Sequence, residues 1–340
     1  MTNTKSIKKD NILFLFSKNG EVRGYKDYLI EKYDFNQNHI VHIDSYPTMQ
    51  TLEKLKTDLK DIKFDLILAI GGGSVMDAGK VLSVFLDEQL TYDLKRIIEN
   101  PNKLDNSKKI ELHVFPTTAG TGAEVTQFAT IWDFENNKKY SLDHKFLLPE
   151  NYFLDSQLLV TLKNQKLLNP LLDSISHAFE SLWNKNRNHE SIEYSLKSLR
   201  LNINTLKKIN SQDVNHNLEN MLLASNLAGK AINITRTSIA HSISYPLTAK
   251  YKIPHGLACS FTIPKILDFV KEDVIINENV SLLEEVSFLL NQLDLVKKVK
   301  SYLNEDGISI PYQEFVSKRS ENFIFKTDKN LIRDFINLNS

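Results

Sequence analysis

An apolar run, Phe64-Asp-Leu-Ile-Leu-Ala-Ile70, passes directly into Gly71, Gly72 and Gly73 and then into a helical pattern, Ser74-Val-Met-Asp77-Ala-Gly79-Lys80. A strand that apolar is buried on both faces, which calls for a sheet covered by helices on either side. Glycines lack a Cβ, so a phosphate can approach their N–H groups, and a helix N-terminus adds partial positive charge. Ser74 is placed to cap the helix, with Asp77 returning a capping contact three residues on. Phosphate-cleaving loops end in Lys-Ser/Thr, but Lys80 is followed by Val81, and Met76 occupies the last glycine position of Gly-x-Gly-x-x-Gly. Alone, the segment is equally well a tight strand-to-helix turn.

Further apolar runs at 12–16 and 39–43 are separated by turn-forming or charged, helix-like stretches, and another candidate strand, 111–115, follows a stretch at 100–109 read as a loop. Strands alternating with helices argue for a Rossmann-like parallel sheet. Beyond residue 160 the texture changes: segments 165–184, 191–209 and 217–231 carry apolar residues at three- and four-residue spacing, as amphipathic helices do. The chain is therefore divided into an α/β dinucleotide-binding domain, 1–158, and an all-α metal- and substrate-binding domain, 159–340.

With 42 basic and 42 acidic residues, nothing electrostatic favours nucleic acid or an anionic membrane as partner. No stretch approaches the roughly 20 apolar residues of a membrane helix. The N-terminus lacks the pattern of a secretory signal, and a single cysteine, Cys259, rules out an intrachain disulfide framework. A cytoplasmic protein is expected, and assembly as a homodimer is left open.

A second loop, Phe115-Pro-Thr117-Thr118-Ala-Gly120-Thr121-Gly122-Ala-Glu124-Val-Thr126, follows another candidate strand. Ligands of open parallel sheets bind outside the carboxyl ends of the strands, so both loops can serve one dinucleotide. The hydroxyls of Thr117, Thr118, Thr121 and Thr126 suit pyrophosphate, ribose or the nicotinamide amide. Asp44, after the strand ending His42-Ile43, can bind a ribose diol and would repel a 2′-phosphate, which favours NAD(H) over NADP(H).

In segment 165–184, Asp173 and His177 lie four residues apart, about 40° around a helix, so both can reach one ion. Periodicity places them, with Glu180 and Asn184, on a solvated face opposite Leu168, Leu171, Leu172, Ile175, Phe179 and Leu182. His241, and His255 in Pro254-His255-Gly256, would complete a carboxylate and three imidazoles suited to Fe2+ or Zn2+.

Together these motifs resemble the iron-dependent (group III) alcohol dehydrogenase family over roughly residues 10–265: the glycine loop with Asp77 and Lys80, the threonine-rich loop, Asp173-Ser-Ile-Ser-His177-Ala-Phe-Glu180, and the histidine pair. The resemblance implies a dehydroquinate synthase-like architecture. It also implies Asp173, His177, His241 and His255 as metal ligands, and Lys139 near the nicotinamide and substrate. Where most members carry another histidine, four residues after the first of the pair, this chain has Tyr245. A phenol, with a reference pKa near 10, is a weaker base there than imidazole, but it can relay a proton. The stretch after His255 is shorter than usual for the family, which would reduce the substrate pocket. The wording from Ala231 to Arg236 and from His241 to Thr248 resembles the branch containing phosphonoacetaldehyde reductases. That branch implies reduction of phosphonoacetaldehyde to 2-hydroxyethylphosphonate, a dianion's chemistry for which Arg236, Lys139 and Arg187 are available cations, Arg187 being the one better read as a structural charge. Two alternatives stay open: a dehydroquinate synthase-like lyase and a catalytically silent NAD- or metal-binding protein.

Overall fold

The computed structural model describes residues 11–338 apart from 19–22, 34–38, 45, 88–89, 106, 137, 161, 163, 210–216 and 305–306. The chain divides into two compact units: residues 1–118 with 123–161, and residues 162–340 joined by the short loop segment 119–122.

In the first unit the apolar runs form β1 (Ile12–Ser17), β2 (His39–Ile43), β3 (Leu66–Gly71) and β4 (Glu111–Pro116), with a two-residue β7 (Asn151–Tyr152) at one edge. All pair in parallel, in the order β2-β1-β3-β4-β7. Every residue of β3 is buried, which is why its sequence is continuously apolar instead of alternating. The strand order reverses between β1 and β3, so the ligand crevice of such a sheet lies outside their carboxyl ends, where Gly71–Gly73 sit. Helices α1 (Tyr25–Tyr33), α2 (Met49–Leu59), α3 (Gly73–Phe85) and α4 (Leu94–Glu99) complete the alternation. Helix α3 approaches the sheet closely because Gly79 has no side chain: a Cβ there would lie 2.8 Å from the Cβ of Ala69.

Two local expectations are corrected. The helix after the glycine loop is capped by Gly72 without a side-chain cap bond, so Ser74 lies inside the helix. Asp77 does not return to the cap; its Oδ2 accepts the backbone N–H of Thr130 at 2.9 Å. Thr130 belongs to an antiparallel ribbon, β5 (Phe128–Asp133) and β6 (Lys138–Asp143), which the sequence reading did not separate from its surroundings. The stretch read as a loop at 100–109 opens with a 3-10 turn, Pro101–Leu104, following α4.

The second unit is helical: α5 (Asn164–Leu182), α6 (His189–Lys208), α7 (Leu218–Thr235), α8 (Ile239–Tyr251), α9 (His255–Ser260), α10 (Ile263–Val270), α11 (Val274–Glu278), α12 (Val280–Asn291), α13 (Leu295–Lys300), α14 (Tyr312–Phe315) and α15 (Lys329–Ile336). Loop 119–122 belongs here because its glycines meet the helices at backbone distance. A Cβ on Gly120 would lie 2.7 Å from Pro170 Cα, and one on Gly122 2.4 Å from Gly229 Cα. Gly122 also has φ +61°, a conformation glycine adopts without strain. No helix among the described residues is long and apolar enough to cross a membrane.

Candidate metal centre

Three helices of the second unit bring the donors together. Helix α5 contributes Asp173 and His177, α8 contributes His241, and α9 contributes His255. The Nε2 atoms of His177, His241 and His255 lie 3.7, 3.4 and 3.7 Å from Asp173 Oδ1. Metal–ligand bonds of about 2.1 Å give a tetrahedron with edges of roughly 3.4 Å, so these separations fit donors around one first-row ion. Asp173 Oδ1 and His241 Nε2 are buried without a hydrogen-bond partner. Leaving such atoms unpaired is costly, and a cation between them removes the cost. The four residues thus fit a divalent metal by their chemistry and by their separations from Asp173 Oδ1, and two of the donor atoms are otherwise unsatisfied.

The face of α5 bearing Asp173, His177, Glu180 and Asn184 is not solvated as periodicity suggested. All four are buried, Glu180 and Asn184 completely. Packing against the helices around it buries α5 on every side from Leu171 to Leu182, and its polar residues are the chemistry of that interior. Glu180 accepts the Nδ1 proton of His241 at 2.6 Å and its backbone N–H at 3.0 Å. That bond fixes the tautomer and turns Nε2 toward Asp173, as second partners of metal-bound histidines do. Burial alone would raise the carboxyl groups, but neighbouring His241 holds Glu180 below its usual value, and His177, His241 and His255 hold Asp173 far below its own. Both are carboxylates at neutral pH. Burial lowers the pKa of His177, keeping its ring neutral and ready to ligate.

The side chain of His255 is 35% exposed, against 8% or less for the other three, so the site opens on the His255 side. There the Tyr245 ring stacks on His255, 5.6 Å between centroids and 14° between planes. Cys259, one helical turn beyond His255, brings its Sγ to 3.9 Å from His255 Nε2. Donor atoms of Asp173, His241, His255 and Cys259 all lie within 4.8 Å of one another. The sequence reading named Cys259 and Glu180 but gave neither a role at this site; the i,i+4 spacing from His255 and the i,i+3 spacing from His177 were the available signals.

The remaining sequence candidates fall in several places. In the first unit, the threonine loop lies alongside the glycine loop: Thr117 N–H donates to Gly71 O at 2.9 Å, and a Cβ on Gly72 would lie 3.1 Å from Thr118 Oγ1. The N-terminus of α3, with Gly73 and Ser74 in its first turn, stands at the carboxyl end of β3. Thr126 is buried and accepts from Lys80 Nζ at 3.0 Å; Lys80 also donates to Phe128 O and pairs with Asp77. Asp44 follows β2, exposed, and pairs with Lys18 at 2.6 Å. Lys139 is exposed on β6, its ammonium 5.4 Å over the Trp132 ring. In the second unit, Thr121 lies on the docked loop. Arg236 caps α7 with φ +66°, and its guanidinium donates to the Asn233 carbonyl. Arg187 forms a two-bond pair with Asp273, the structural role expected of it.

The family description Iron-containing alcohol dehydrogenase matches residues 2–156, and Fe-containing alcohol dehydrogenase family, C-terminal, matches residues 169–310. The phosphonoacetaldehyde reductase of Streptomyces viridochromogenes is 33% identical over 236 residues, 68% of this chain and 59% of that protein. The aldehyde-alcohol dehydrogenase of Streptococcus pneumoniae serotype 4 is 28% identical over 259 residues, 72% of this chain and 29% of that protein. The chain therefore spans less than two thirds of the length of these curated relatives. Among solved structures, the sulfoacetaldehyde reductase of Bifidobacterium kashiwanohense in complex with NAD+ superposes with a TM-score of 0.83 at 19% identity, covering 95% of this chain and 89% of that one. At that identity the likeness establishes the fold, an α/β unit and a helical unit of dehydroquinate synthase-like architecture.

Proposed function

The chain belongs to the iron-containing alcohol dehydrogenase family, and we propose on that premise that it is a metal-dependent, nicotinamide-linked oxidoreductase interconverting a small aldehyde and its primary alcohol. The observation that carries this reading is the convergence of three imidazoles on Asp173 Oδ1 at tetrahedral-edge separations, with Asp173 Oδ1 and His241 Nε2 buried without a hydrogen-bond partner. Iron or zinc suits the donor set. When bound, such an ion supplies Lewis acidity toward a carbonyl oxygen, worth several kcal/mol, and a reduced nicotinamide supplies the hydride.

The chain's own residues hold the reactants and move the proton. Asp173, His177, His241 and His255 hold the ion, with Glu180 fixing the orientation of His241. Gly71, Gly72, Gly73, Ser74, Thr117 and Thr118 bind the dinucleotide, with Lys139 on its nicotinamide side. The carboxylate of Asp44 favours NAD(H) by accepting ribose hydroxyls and repelling a 2′-phosphate. Tyr245, beside the exposed edge of His255, delivers the proton to the oxygen that becomes the alcohol. The substrate is phosphonoacetaldehyde, reduced to 2-hydroxyethylphosphonate; the name of the Streptomyces relative supports this choice.

The test is a panel of short aldehydes, phosphonoacetaldehyde among them, assayed with NADH and NADPH after metal loading. Net loss of NADH absorbance is expected. A dehydroquinate synthase-like lyase recycles its nicotinamide and a silent binder leaves it untouched, so constant absorbance with every aldehyde overturns the proposal.

A further inference from the structure

The family match ends at residue 310, yet the chain beyond it is fastened to the helix that carries His241. Ser242 Oγ, on α8, donates to Phe315 O at 2.6 Å and lies 2.8 Å from Ser317 Oγ. Asn322 Nδ2 donates to Thr237 O at 2.9 Å, and Asn322 O accepts the N–H of Lys185 at 2.7 Å, just past the end of α5. Ser317 and Ser320 close the turn between these anchors, and the N–H of Arg319 donates to Ser317 Oγ at 3.2 Å. Residues 315–322 are thus a strap laid across α8, with the backbone of Arg319 fixed at its middle.

The side chain of Arg319 reaches Tyr245. Its Nε donates to the Tyr245 hydroxyl at 3.3 Å, and the guanidinium carbon lies 5.0 Å over the ring. Tyr245 in turn stacks on His255, the exposed edge of the metal centre. Among the described residues no carboxylate pairs with Arg319, and its two terminal amino groups make no hydrogen bond. Arg187, by contrast, spends the same groups on Asp273, and Arg236 turns one toward a backbone carbonyl. A planar fork held at Nε, with both ends open, matches two oxygens of a tetrahedral anion.

We infer that Arg319 is the specificity-determining cation of the substrate site, binding the phosphonate or sulfonate headgroup of a two-carbon aldehyde whose carbonyl oxygen faces the metal centre. This rests on the proposed reductase reading and deepens it. The short spacing between carbonyl and headgroup suits a cation one aromatic ring away from a metal-binding histidine. The two headgroups share geometry and differ in charge, so the experiment treats them separately.

The test compares wild-type metal-loaded protein with Arg319→Met and Arg319→Lys, using phosphonoacetaldehyde, sulfoacetaldehyde and propanal with NADH. Arg319→Met keeps the packing over Tyr245 and removes the charge. Its kcat/KM for the better anionic aldehyde is expected to fall about 10- to 100-fold more than for propanal, mainly through KM, with Arg319→Lys between the two. Equal losses on charged and neutral aldehydes would mean that Arg319 only positions Tyr245, and would overturn the inference. So would a wild-type protein that does not favour either anion over propanal, although the reductase reading would survive that result. Calorimetry with 2-hydroxyethylphosphonate and 2-hydroxyethylsulfonate reads the site without turnover. If wild type binds an anion and Arg319→Met does not, the inference stands even where no aldehyde is reduced; equal binding by both proteins overturns it.

Discussion

The carboxylate of Glu180 takes two hydrogen bonds from His241, one from the ring Nδ1 at 2.6 Å and one from the backbone N–H at 3.0 Å. One side chain therefore fixes both the tautomer of His241, a proposed metal ligand, and the start of the helix that carries it. Replacing Glu180 with Gln keeps the size but removes the charge that holds the Nδ1 proton. Metal affinity is expected to fall about 10- to 100-fold, read by competition with a chromophoric chelator. Unchanged affinity would show that Glu180 has no part in ligand orientation.

Metal binding is also expected to depend on pH. Burial pulls the pKa of His241 down, but Cys259, Glu180 and Asp173 together outweigh it and raise the pKa well above 6.5 in the metal-free protein. Binding at Nε2 then expels a proton, so affinity should rise with pH through the neutral range, with proton release visible in calorimetry across buffers of different ionisation enthalpy. The effect on folding has the opposite sign. A raised pKa stabilises the metal-free fold fully below the unfolded value of about 6.5, and this contribution fades as pH rises through the folded value. Metal removal should therefore cost more stability in alkaline than in mildly acidic buffer.

Gly256, next to His255, lies where a Cβ would come within 2.0 Å of Asn169 O on α5. Neither partner can yield without moving a helix. Gly256→Ala should destabilise the protein by about 1–3 kcal/mol in urea unfolding and reduce bound metal in the same preparation. Full metal occupancy would show that α9 can shift without disturbing His255.

Lys80 is fully buried, and its ammonium serves Thr126, Phe128 and Asp77 at once. Lys80→Met would leave the Asp77 carboxylate without its cation and the hydroxyl and carbonyl without a donor. A loss of about 2–4 kcal/mol is expected in denaturant unfolding. A change below about 0.5 kcal/mol would indicate that water or another donor replaces the ammonium.

Much of this was legible in the sequence, for identifiable reasons. Strands β1 and β3 read directly as unbroken apolar runs because they are buried on both faces. Asp173 and His177 could be paired because helical spacing alone puts them on one face. The burial of that face was not legible, since periodicity describes a helix against one neighbour and α5 has several. The β5–β6 ribbon was obscured because one of its strands begins Lys138-Lys139 and stays largely exposed. Arg319 lies 74 residues beyond Tyr245, and nothing local in either segment announces that a strap joins them.

The most direct test of the account is anomalous diffraction at the metal's absorption edge from crystals of the metal-loaded protein. The account predicts one strong peak per chain, bonded to Asp173 Oδ1 and to imidazole nitrogens of His177, His241 and His255. A peak elsewhere, or none in protein that still oxidises NADH with an aldehyde, would contradict it.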